Sequence, residues 1–125
     1  MKLRIRDNSI RFRLMQAEVA QLRSTGVVSA RTTFPGGRHL SYAVESSPAN
    51  IHPQAFLSES TLTVRLPETA VLAWSGSEQV SIEAEQPLDD GGSLRLLVEK
   101  DFACLAPREG EDESDMYPHP QADQG

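Results

Sequence analysis

Apolar and polar residues alternate in several short stretches of this chain, and the order of those stretches occurs twice. In SIRFRL, Ile10, Phe12 and Leu14 fall on one side and Arg11 and Arg13 on the other, the period-two pattern of a half-buried strand. LMQAEVAQL follows, with Met15, Val19 and Leu22 at i, i+4 and i+7, which makes one apolar stripe on a helix. Gly26 ends that pattern, and VVSARTTF returns to alternation with β-branched residues. FPGGR then reads as a turn, and HLSYAVE as the strand that pairs back across it.

The second occurrence begins at Thr61. Setting SIRFRLMQAEVAQLRSTGVVSARTTFP above TLTVRLPETAVLAWSGSEQVSIEAEQP needs no gap, at a constant offset of 52. Arg13 then meets Arg65, Leu14 meets Leu66, Val19 meets Val71, Val28 meets Val80, Ser29 meets Ser81 and Pro35 meets Pro87. Beyond the prolines the offset becomes 54, pairing Gly37 with Gly91, Leu40 with Leu94, Val44 with Val98 and Glu45 with Glu99. Scattered identities alone would not establish a repeat. The matched order of strand, helix, strand, glycine turn and strand argues for a duplication.

Each copy reads β-α-β-β. The second helix opens at Pro67, a residue suited to a first turn whose amide has no partner anyway, and Val71 and Trp74 carry its apolar face. The inward positions of the paired strands are Val28, Ala30, Thr32, Leu40, Tyr42 and Val44 in one copy. In the other they are Val80, Ile82, Ala84, Leu94, Leu96 and Val98. Clean alternation implies antiparallel strands with one buried face. The expected fold is α+β: duplicated β-α-β-β units in one antiparallel sheet or part-barrel, with two helices on one face. The domain spans residues 1–104, with copies at about 9–46 and 61–100 joined by a Pro-rich loop over 47–60. KLRIR extends the first strand across a bulge at Asp7-Asn8, and residues 105–125 form an acidic, Pro-containing flexible tail.

LMQAEVAQL also resembles the first helix of a repressor's helix-turn-helix. That motif needs a second helix three or four residues later, to enter the major groove. Here a strand pattern follows Gly26, and the counterpart helix, PETAVLAWSGS, has no basic residue. DNA readout by this helix is therefore disfavoured, and overall acidity with a shortage of exposed aromatics argues against a nucleic-acid binder acting through the arginines of residues 4–38.

Length and composition narrow the picture further. A chain of 125 residues with 38% hydrophobic content buries one modest core. No run approaches the roughly 18 apolar residues of a membrane helix, and the start lacks the apolar stretch of a signal peptide. Cys104 is the single cysteine, so an internal disulfide or multi-cysteine zinc site is excluded and a cytoplasmic protein is expected. The net charge of −6 is unevenly spread: residues 1–38 carry eight bases against Asp7 and Glu18, and residues 39–100 carry three bases against nine acids. From residue 101 onward there are seven acids against Arg108.

The outward strand positions supply the candidate chemistry. They are Arg11, Arg13, Arg31, His39 and Glu45 in the first copy, and Arg65, Glu83, Glu85, Arg95 and Glu99 in the second. One reading is a solvated face of cross-strand ion pairs. The other is a ligand surface, in which Arg11, Arg13, Arg31, Arg65 and Arg95 grip phosphate or carboxylate oxygens and Glu83, Glu85 and Glu99 hold a divalent cation such as Mg. No catalytic residue is nominated. His39 and His52 lack a nucleophile motif, and PGGR and DDGGS lack the helix and lysine of a phosphate loop.

VSIEAEQ and LRLLVEKDF resemble strands of the CYTH, or triphosphate-tunnel, enzymes. That resemblance implies Glu83, Glu85 and Glu99 on metal and Arg11, Arg13, Arg65 and Arg95 on phosphate. The chain departs from the family in reading LRIR where an acidic ExExK is expected, and the six strands its repeats imply fall short of the eight that the family's barrels need. RIRDNSIRFRL, EVAQL, IEAEQPL and EKDFACLAPREGEDESD are similar along nearly the whole length to a small bacterial family of uncharacterised proteins, which end in an acidic stretch and an aromatic-proline motif like Tyr117-Pro118-His119-Pro120. The function expected first is a non-catalytic binding or assembly module. It would use the polar sheet face and the charge asymmetry to contact a protein partner or itself, with no cofactor. The alternative is a metal-dependent binder or hydrolase of a phosphate ligand.

Overall fold

The computed structural model describes residues 1–102 of the chain; the expectations for Cys104 and the acidic tail lie outside the described residues. A hairpin of β1 (Lys2–Arg6) and β2 (Ser9–Leu14) leads into α1 (Gln16–Thr25), and a second hairpin follows, of β3 (Val27–Phe34) and β4 (Arg38–Ser47). The same order then recurs as β5 (Gln54–Ser58), β6 (Thr61–Pro67), α2 (Glu68–Ser75), β7 (Ser81–Pro87) and β8 (Ser93–Lys100).

The repeated unit is therefore β-β-α-β-β, one strand longer than the alternation indicates. KLRIR does not extend β2 across a bulge; it turns at Asp7-Asn8 and pairs antiparallel with β2, Lys2 opposite Arg13 and Arg6 opposite Ser9. Residues 47–60 are likewise not all loop, because QAFLS pairs with β6 in the same manner. The offset of 52 carries β1 onto β5, and it carries Asp7 onto Glu59. These two are the non-glycine residues with positive φ among the described residues, at 49° and 54°. Both copies thus turn their first hairpin with the same rare backbone state.

The fold is α+β as expected, but its eight strands form two four-stranded sheets in place of one antiparallel sheet or part-barrel. The first sheet has the order β1-β2-β8-β7 and the second β3-β4-β6-β5. Each copy gives its first hairpin to one sheet and its second hairpin to the other. At the centre of each sheet the copies meet in a parallel pair, β2 with β8 and β4 with β6. Alternation reports which side of a strand is buried and not which strand lies beside it, so antiparallel pairing throughout did not follow from it. The two sheets do not close into a barrel.

The inner faces of both sheets feed one core. Ile10, Phe12, Leu14, Ile82, Leu96 and Val98 come from the first sheet, and Val28, Val44, Leu62, Val64 and Leu66 from the second. Phe12 and Tyr42 touch across the gap, with ring centroids 6.3 Å apart. Leu22, Val71 and Trp74 enter from the helices. α1 and α2 lie against each other, and each contacts strands of both sheets, so they bridge the two layers and do not cover one face of one sheet. Leu22 and Trp74 occupy equivalent repeat positions and both are fully buried. The Trp74 indole N–H donates to the Val80 carbonyl at 2.9 Å, which satisfies the one polar atom it brings inside.

The helix ends follow the local chemistry. The Glu18 carboxylate accepts from the Met15 amide at 2.9 Å at the start of α1. Gly26, at φ 85°, ends that helix in the left-handed state and donates its amide to the Leu22 carbonyl. A strand, β3, begins at the next residue, so no second helix follows and LMQAEVAQL is not part of a helix-turn-helix.

Candidate functional site

The outward face of the first sheet is a charge gradient laid across four strands. Odd-numbered positions of β2 point away from the core, and their register partners do the same. On β1 these are Lys2, Arg4 and Arg6; on β2 they include Arg11 and Arg13. On β8 they are Arg95, Leu97 and Glu99, and on β7 Ser81, Glu83 and Glu85. The face runs from wholly basic at the β1 edge to acidic at the β7 edge.

At its centre, the guanidiniums of Arg11 and Arg13 converge on one oxygen. Each Nε donates to Glu99 Oε1 at 2.7 Å. Lys2 pairs with Asp101 at 3.1 Å, and Arg95 approaches Glu85 at 3.8 Å with both side chains mostly exposed. Arg4 and Arg6 make no ion pair among the described residues. The β1–β2 hairpin thus presents five cations to two carboxylates, Glu99 and Asp101.

The five arginines expected to act together are divided. Arg11, Arg13 and Arg95 lie on the first sheet, whereas Arg31 and Arg65 lie on the outward face of the second. There the Arg65 Nε donates to Glu45 Oε1 at 3.0 Å, and its guanidinium carbon sits 4.7 Å from the centre of the Phe56 ring. The rest of that face is mainly Ser and Thr, with His39 Nδ1 3.1 Å from the Thr33 hydroxyl. Glu83, Glu85 and Glu99 do share the first sheet, but on two strands, with Glu99 held by arginines and Glu83 opposite Leu97. Among the described residues, no group of three or more His, Cys, Asp or Glu side chains is placed to hold a metal ion.

Lys2, Arg4 and Arg6 stand out in the sequence only as part of the basic stretch 1–38, not as positions of this face. Their signal was present: KLRIR alternates as SIRFRL does, and its counterpart QAFLS stands 52 residues on. A groove of about 1020 Å³ lies beside this edge, lined by Leu14, Met15, Val19, Arg23, Lys100 and Phe102 among others. The Lys100 ammonium donates to the Ser77 carbonyl at 2.7 Å, on the helix side of the sheet.

No helix among the described residues is long and apolar enough to cross a membrane. No curated protein and no solved structure matches the chain. One family model does, over residues 1–121, so nearly the whole sequence is accounted for by a single family. The chain belongs to that family, described as a family of unknown function (DUF7009).

Proposed function

We infer that this protein is a non-catalytic binding module whose β1–β2 face receives an acidic segment of a protein partner. The observation that carries the reading is the set of five cations on one hairpin face, with Arg4 and Arg6 unpaired among the described residues. An extended acidic chain has carboxylates spaced as the side chains of a strand are, and guanidiniums bind carboxylate oxygens in paired forks. An open face also suits a chain better than a small molecule, which is ordinarily held in a concavity. The lone cysteine fits a bacterial cytoplasm as the place where this happens.

The test is anisotropy of a fluorescein-labelled oligo-glutamate peptide titrated with the full chain. Exposed charge contacts contribute up to about 1 kcal/mol each, so R4E together with R6E weakens binding by about tenfold or more. Both residues are exposed on an edge strand, and an unchanged melting point would show that the fold is intact. Equal binding by the wild type and the double variant would rule the reading out.

A phosphate-ligand reading draws on the same arginines, since Arg11 and Arg13 already converge on one anionic oxygen. It requires stabilisation by Mg with tripolyphosphate that disappears in E83Q, measured by thermal shift.

A further inference from the structure

We propose that the first occupant of this basic face is the chain's own acidic segment, Glu109–Asp115, which competes there with an external partner. The inference rests on the binding reading above and adds its regulation. β8 lies beside β2, and the Asp101 amide donates to the Leu14 carbonyl at 2.9 Å, so the chain leaves the sheet at the Lys2 end of the cation row. Asp101 already makes the first such contact, with its carboxylate 3.1 Å from the Lys2 ammonium. From there β1 runs away toward Arg4 and Arg6.

Reach and charge both agree. The row from Lys2 to Arg6 covers about 14 Å at the rise of a strand. Residues 102–108, FACLAPR, span up to about 23 Å when extended, enough to place the acids anywhere along it. Glu109, Glu111, Asp112, Glu113 and Asp115 supply five carboxylates within seven positions. A segment tethered by so short a linker acts at millimolar effective concentration, so even weak contacts suffice to occupy the face. The matched family region, residues 1–121, includes this acidic run together with the described residues.

The chain's two lysines allow a direct test, because they lie on opposite sides of the first sheet. Lys2 is on the cation row and Lys100 is turned to the helix side. Carbodiimide coupling of the full chain at low salt should join Lys2 to carboxylates of 109–115 within one molecule. The product should vanish near 1 M salt, where the screening length falls to about 3 Å. Coupling to Asp101 alone, coupling to Lys100 in equal yield, or coupling only between molecules would overturn the proposal.

The second arm uses a neutral-tail variant, E109Q/E111Q/D112N/E113Q/D115N, in the full chain. It should bind the oligo-glutamate probe about tenfold more tightly than the wild type does. Equal, measurable binding by both would overturn the tail's role and leave the binding face standing. Binding by neither, with the intramolecular Lys2 product present, would instead uphold the tail's docking and overturn the face as a partner site.

Discussion

Arg13 of the first copy bonds Glu99 of the second at 2.7 Å, and its repeat counterpart Arg65, in the second copy, bonds Glu45 of the first at 3.0 Å. Glu45 and Glu99 are themselves counterparts, so one ion pair occurs twice with the donor and acceptor copies exchanged. Each pair spans a parallel register, Arg13 opposite Glu99 and Glu45 opposite Arg65. These are the two places where the copies are joined strand to strand.

The two pairs should differ in what they contribute. Arg13 and Glu99 are 17% and 13% exposed, against 40% and 33% for Arg65 and Glu45, and Glu99 also accepts from Arg11. Removing Glu99 leaves two less-hydrated guanidiniums without their acceptor, at about 1–3 kcal/mol. The better-solvated pair is worth at most about 1 kcal/mol. Urea denaturation should therefore show E99A more destabilised than E45A; the reverse order would show that burial does not set the ranking.

Glu59 holds a φ of 54°, where Asp7 of the first copy holds 49°. Aspartate and asparagine tolerate positive φ far better than longer side chains do. Glu59→Asn should stabilise the protein by about 0.5 kcal/mol, and Glu59→Val should destabilise it by about 1 kcal/mol. Thermal melts of the pair decide the matter. If asparagine gains nothing over glutamate, the turn is not under conformational strain.

Trp74 is the chain's single tryptophan and is fully buried. Its emission should be blue-shifted in the native state and move to longer wavelength on unfolding. Trp74→Ala should cost about 3–5 kcal/mol through the cavity it leaves. Trp74→Phe should cost clearly less, because the Val80 carbonyl keeps the Lys100 amide at 3.0 Å as a second donor.

Gln86 ties the β7 edge of the first sheet to the β5 edge of the second. Its Oε1 accepts from the Ala55 amide at 2.7 Å, and its Nε2 donates to the Ala55 carbonyl at 3.4 Å. Gln86→Ala should cost about 1–2 kcal/mol and speed hydrogen exchange at the Ala55 amide. Unchanged exchange there would mean that the two edges are held together by other contacts.

Much of this was legible in the chain. Alternation gave the buried sides of β2, β6 and β8, and the glycine turns gave the second hairpin of each copy. The offset of 52 identified Leu22 with Trp74 and Val19 with Val71. β1 and β5 escape the pattern for different reasons. KLRIR lies so near SIRFRL that the pair looked like one interrupted strand, and QAFLS sits among prolines that suggest a loop. Aligned with each other they share no residue, so only the continuing offset marks them. The partition into two sheets was not legible, because a side chain's pattern fixes its face and leaves its neighbour open. Both effects bear on the candidate face: Arg31 and Arg65 lie on the other sheet, and Lys2, Arg4 and Arg6 lie on a strand that the alternation does not separate from β2.

The exchange of hairpins between the copies has a consequence for how the molecule is made. The first sheet needs β8, whose Arg95 lies opposite Ser9 of β2. During synthesis the N-terminal hairpin therefore emerges with its apolar side and one strand edge open, and it waits until almost the entire described chain has been produced. Contacts this distant along the chain close slowly, and exposed strand edges invite pairing with other molecules meanwhile. The cations that crowd the outside of β1 and β2 repel another hairpin like themselves during that interval, which protects the nascent chain from its own kind.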